Sequence, residues 1–207
     1  MTVIVSKPAV NLREELASLR NQGGYQEQQF YFDGLVTNGT FDSDTDWTKG
    51  TGWTISGGVA SCDGSSTNFN SVVTVFPANT LTVITFDAVV TSGYVRFNSY
   101  FAWNNILTSG TYTFFVETPV DYDVLFQSVG FIGSIDNISV FEVDANNDVV
   151  HRMPKGWIPK DFYEDGLLQR EGSAHDYEVV YDGFDYYVKP TVAPSATTQT
   201  CVIGVKA

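Results

Sequence analysis

Gly133-Ser134-Ile135-Asp136-Asn137-Ile138-Ser139-Val140-Phe141-Glu142-Val143 is the stretch on which the fold turns. On an extended backbone Ile135, Asn137, Ser139, Phe141 and Val143 face one way, and Asp136, Ile138, Val140 and Glu142 the other. Period two with β-branched residues at alternate sites predicts a strand. Residues 35–42, Leu-Val-Thr-Asn-Gly-Thr-Phe-Asp, are its expected partner, so the first and last strands of one domain lie side by side.

The chain between them predicts a β-sandwich. Residues 51–56 and 58–62 suit a hairpin turned by Gly57-Gly58, and residues 61–71 read as a polar loop. Residues 72–76 read as a strand stopped by Pro77. Residues 81–90 alternate, with Ile84, Phe86, Ala88 and Val90 on one face. Ser92-Gly93 reads as a turn into residues 94–103, and residues 112–116 and 123–129 complete the set. Roughly eight strands with a turn every dozen residues fit a two-sheet sandwich or jelly roll.

Three segments follow: 1–33, an N-terminal arm and helix; 34–143, the β-domain; and 144–207, a small β-rich extension. In the first, residues 11–22 carry a helix signature. Asn11 is an N-cap with Glu14 three residues on, Leu12, Leu16 and Leu19 form one apolar stripe, and Gly23-Gly24 stops it. A helix this short needs a surface to dock on, either its own domain or identical helices in an oligomer. Residues 25–33 read as a connector that becomes a strand. In the extension, residues 153–165 hold Pro154, Gly156-Trp157 and Pro159 and read as irregular, and residues 160–169 as a short helical turn. Asp182-Gly183 is the clearest hairpin turn, and residues 201–206 the last strand.

The sequence has 207 residues, 43% hydrophobic and 14% aromatic, enough to bury a sizeable core. A net charge of −13 disfavours nucleic acid and anionic lipid as partners. It suits solubility in a repetitive assembly or, alternatively, binding of a divalent cation. Cys62 and Cys201 share no motif and predict neither a metal site nor a disulfide framework. No stretch reads as a signal peptide or a membrane helix, so synthesis in the cytosol is expected.

Asn38, Gly39, Phe41 and Asp42, a following Trp47 or Trp53, and the closing Asp136-Asn137 resemble the jelly-roll domains of carbohydrate-binding modules of the family 4/9/22 type. The resemblance covers about half of the chain and implies a structural calcium shared by Asp42 and Asp136. It also implies sugar-stacking aromatics, for which Trp47, Trp53, Tyr94, Tyr100 and Trp103 are the candidates. The opening residues 7–16, Lys-Pro-Ala-Val-Asn-Leu-Arg-Glu-Glu-Leu, resemble the start of accessory structural proteins of tailed-phage particles. That implies a non-enzymatic virion protein of the neck, tail or capsid surface, assembled in the host cytoplasm as a homo-oligomer with other virion proteins. The alternative is a glycan-binding module or adhesin for host carbohydrate.

No nucleophile, zinc-protease, phosphate-loop or dinucleotide motif is present, and neither His151 nor His175 stands in one, so no enzyme and no cofactor are expected. On residues 94–103 the alternation sets Tyr94, Arg96, Asn98 and Tyr100 against Val95, Phe97, Ser99, Phe101 and Trp103. The second set reads as core. The first reads as a glycan or protein interface, with Trp157 as a further interface anchor and the absence of a paired Trp platform favouring protein.

Overall fold

A computed structural model describes residues 27–31, 34–144, 146, 148–169, 176–195 and 198–206. The helix expected at 11–22, with Leu12, Leu16 and Leu19, lies outside the described residues, as does His175. The chain divides into two compact units: Gly34–Asn147 with Ser195–Thr197, and Asp148–Pro194 and Thr198–Ala207 with Met1–Asp33. Every regular element among the described residues is a strand.

Strand β1 (Glu27–Tyr31) belongs to the second unit. The first holds β2 (Trp47–Lys49), β3 (Trp53–Ser56), β4 (Val59–Asp63), β5 (Asn68–Ser71), β6 (Leu81–Asn98), β7 (Trp103–Ile106), β8 (Gly110–Glu117) and β9 (Leu125–Glu142). Strands β6 and β9, 18 residues each, run antiparallel along nearly their whole length. β9 carries β5 and β4 on its other edge, β6 carries β7 and β8, and β2 and β3 lie outermost. The β6–β9 ladder slips at Thr85/Asp87, Val90/Ser92 and Ser92/Tyr94, and such bulges bend and twist a ribbon. At the bend the two backbones nearly touch. A Cβ on Gly93 (φ 63°) would lie 2.1 Å from the Gly130 carbonyl oxygen. The sheet thereby folds over onto itself as a sandwich or near-barrel.

The core collects the inward residues of both ribbon halves: Ile84, Phe86, Val95 and Phe97 from β6, and Phe126, Phe131, Ile135 and Val140 from β9. Phe69 is stacked between Trp47 and Trp53, with ring centroids 4.8 and 4.7 Å away.

Several expectations are corrected. Ser92-Gly93 is a bulge rather than a turn, so the strand read at 81–90 continues through residues 94–98 of the one read at 94–103, and 123–129 runs on into the closing strand. β5 lies in the supposed polar loop at 61–71, whereas 72–76 makes only an isolated bridge, Phe76 to Tyr122. In the closing strand Asn137 has φ 51° and forms a bulge opposite the Thr85/Asp87 slip. Strict alternation fails there, and Ile135 and Ile138 both reach the core. Residues 35–42 lie against this strand through Leu35 N–H to Val140 O (2.7 Å) and Ile138 N–H to Gly39 O (2.9 Å). They form bends rather than a regular strand, because Asn38 (φ 51°) and Phe41 (φ 53°) are left-handed.

The second unit adds β10 (His151–Arg152), β11 (Trp157–Glu164), β12 (Leu167–Gln169), β13 (Tyr177–Tyr181), β14 (Tyr186–Pro190) and β15 (Thr200–Lys206). Its sheets run β1-β15-β11-β12 and β10-β14-β13, over a core that includes Met153, Ile158, Phe162, Val188, Val202 and Val205. The segment read as irregular and then helical is instead β11 and a hairpin. Pro159 is accommodated where the register skips to Asp161, and Asp165 (φ 49°) and Gly166 (φ 76°) make a two-residue turn. Asp182 caps the hairpin read from sequence, its Oδ1 accepting the N–H groups of Phe184 and Asp185.

Candidate functional site

In β6, β7, β9 and β5 the pleat sends Val95, Phe97, Ile106, Phe126 and Phe69 inward. Their neighbours therefore point outward, and residues in register across antiparallel strands share a face. One outward row is Asn105, Arg96, Gln127 and Asn68. The next is Trp103, Asn98, Leu125, Asn70 and Thr48. Beyond the first row Tyr94 stands opposite Val129. Five strands at ordinary spacing make this face about 19 Å wide. It carries four asparagines, a glutamine, a tryptophan, a tyrosine and an arginine, and no carboxylate.

Arg96 is held over Tyr94, its guanidinium carbon 5.5 Å from the ring centroid and its Nη2 donating to the tyrosine hydroxyl at 3.2 Å. Nε is buried and has no hydrogen-bond partner. Among the described residues Arg96, like Lys155 and Lys206, makes no ion pair, whereas Lys49, Arg152, Lys160 and Lys189 are each matched to an acid. The amides differ in engagement. Gln127 Nε2 reaches Asn68 Oδ1 at 3.4 Å, and Asn70 Nδ2 donates to the Ser71 carbonyl at 3.0 Å.

The four residues expected on this face divide. Tyr94, Arg96 and Asn98 share it, but β6 ends at Asn98 and Tyr100 lies in the β6–β7 loop. There Tyr100 takes φ 70°, donates its N–H to Asn98 Oδ1 at 2.8 Å and packs edge-on with Phe101 (4.8 Å) and Tyr122 (5.1 Å). The loop resets the alternation. Phe101 and Trp103, read as core, are 76% and 42% exposed, and pairing with Asn98 brings Trp103 onto the outward face. Trp47 and Trp53, the other tryptophan candidates, are core residues at 6% and 4% exposure. Trp157 begins β11 and is half-buried against its own unit's core, not held out on a loop. Asn105, Gln127 and Asn68 went unnoticed in the sequence, because only strand register places them beside Arg96.

Asp42 and Asp136 come within electrostatic reach of each other, together with Asp87, which the sequence reading missed. Burial pushes the Asp136 carboxyl above its ordinary value; the Asn137 N–H opposes that, and the charges of Asp87 and Asp42 add to it. Asp87 already accepts from Thr111 (2.5 Å) and Asn137 Nδ2 (2.8 Å), Asp136 from the Asn137 N–H (2.7 Å), and the exposed Asp42 from Thr40 (2.9 Å). Among the described residues no group of three His, Cys, Asp or Glu is arranged to hold a metal ion.

No protein-family model matches this sequence, and no curated protein does.

Proposed function

We propose that this chain is a non-enzymatic recognition module whose outward β7-β6-β9-β5-β2 face grips carbohydrate. The observation that carries the reading is Trp103 exposed beside outward-facing amides, of which the Asn105 side chain is unbonded among the described residues and Gln127 is held only at 3.4 Å. An exposed indole stacks on sugar C–H faces, and side-chain amides and a guanidinium supply the hydrogen bonds that hydroxyl groups need. The bent eight-stranded sheet, with residues 35–42 bonded to its closing strand, supports kinship with the jelly-roll carbohydrate modules.

A second reading has its own observation. Tyr100, Phe101 and Tyr122 form an aromatic cluster at a loop tip, with Phe101 largely exposed, and such groups anchor protein contacts. On that reading the module is a multi-copy structural part of a tailed-phage particle, on the neck, tail or capsid surface. The test is a glycan array combined with mass photometry on the parent, Trp103→Ala and Phe101→Ala. Glycan hits lost at least tenfold in Trp103→Ala and kept in Phe101→Ala are the expected result. A blank array, with oligomers that fall apart only in Phe101→Ala, puts the structural reading first.

A further inference from the structure

We infer that the sheet face selects carboxylated sugars, uronate or sialate units, and that Arg96 is the residue that reads the carboxylate. The inference rests on the glycan reading above and narrows it.

The chain carries 24 acidic residues against 11 Lys and Arg, yet none of the acids stands in these rows beside Arg96. Every outward residue of the three rows is uncharged except Arg96. Arg152 shows the alternative, an arginine neutralised by an acid, Asp182. Arg96 finds none among the described residues. Of the guanidinium's five N–H donors, one is used, in the bond to the Tyr94 hydroxyl. That bond and the ring beneath hold the group in place before any ligand arrives. Nε is buried out of a ligand's reach, whereas the Nη1 hydrogens are neither buried nor bonded, so the Nη end of the guanidinium is what the face offers. A planar carboxylate matches the guanidinium fork in shape and charge, which an ammonium or a neutral hydroxyl does not. Asn105 and Gln127 flank Arg96 in register on either side, placed to take the hydroxyl groups of the same ring. The overall negative charge slows the approach of a polyanion but is screened beyond about 8 Å at physiological salt, so the local Arg96 contact decides the affinity.

The test uses the full-length protein and paired probes: trigalacturonate, trimannuronate, triglucuronate and sialyllactose, each beside its own methyl ester. The ester keeps the ring and removes the charge. Calorimetry should show at least one acid bound tenfold or more tighter than its ester, with the preference abolished in Arg96→Gln and partly kept in Arg96→Lys. Acid and ester bound equally overturns the carboxylate inference and leaves the carbohydrate face standing. No binding of any probe, with the glycan array also blank, removes both. An acid preference that survives Arg96→Gln overturns the role of Arg96. Should Arg96→Gln not fold, the acid–ester comparison on the parent protein alone decides.

Discussion

Gly39 shows how much one hydrogen atom decides. A Cβ at this position would lie 1.9 Å from the Ile138 carbonyl oxygen, the same peptide region that bonds Gly39 O through its N–H. Gly39→Ala must push the opening segment off the closing strand and is expected to cost about 3 kcal/mol, the upper range for overpacking. Urea denaturation of the two proteins measures it, and a loss below roughly 1 kcal/mol would mean the segment moves freely. Asn38 explains itself next door. Its side chain bonds the carbonyls of Ser43 and Thr45, and its own carbonyl accepts the Trp47 indole N–H. The Asn-Gly-x-Phe element is thus a folding device. Asp136 is the opposite kind of residue. Its carboxyl is raised by burial and by like charge, so its contribution to stability is fully present below the ordinary 3.8 and is lost as pH rises through the folded value. Asp136→Asn, which keeps an acceptor for the Asn137 N–H, is expected to melt no lower than the parent at pH 7, and the gap closes toward pH 3.8. Calcium held jointly by Asp42 and Asp136 would reverse the sign: the variant and a chelator would each lower the melting temperature.

At the scale of elements, local turn chemistry was the most readable signal. Gly57-Gly58 and Asp182-Gly183 turn hairpins as their residue types require. Asp165-Gly166 carries the same signal and was passed over, because the prolines nearby suggested an irregular segment. Strand β10 shows what burial does to chemistry. Burial lowers the His151 imidazole from 6.5 to about 4. The neutral ring is favoured in the fold, so the stability it leaves intact above pH 6.5 is lost progressively as pH falls to about 4. The full loss is about 3 kcal/mol, at 1.36 kcal/mol per pKa unit. Acidification to pH 4.5 should therefore raise hydrogen exchange in peptides covering β10, β11 and β15, and His151→Gln should flatten that pH dependence. Exchange that does not change between pH 7 and 4.5, corrected for intrinsic rates, counts against it.

At the scale of the molecule, what followed from sequence was the class and the inventory. Composition, period-two runs and turn residues specify a strand-rich chain with a sizeable core, but the stack of Trp47, Phe69 and Trp53 inside it was not legible, since Phe69 read as part of a polar loop and both tryptophans as candidate sugar platforms. The association of residues 35–42 with the closing strand was anticipated only through the resemblance to carbohydrate-binding modules, not from local pattern. Tertiary structure alone decided three things. It merged pairs of short strands into β6 and β9, because a Ser-Gly pair that reads as a turn can equally be a bulge when a partner strand continues past it. It joined β1 to β15 across almost the whole chain, a pairing that no local pattern encodes. And it built the candidate site. Alternation tells which residues share a face of one strand, but only register tells which residues of other strands stand beside them. Arg96 was legible as one face with Tyr94 and Asn98, yet its neighbours Asn105, Gln127 and Asn68 come from three other strands. Trp103 crossed from the core to the surface because the loop of residues 99–102 shifted its phase. Side-chain periodicity is a property of a continuous strand, and every loop or bulge resets it by an amount that packing, not local sequence, determines.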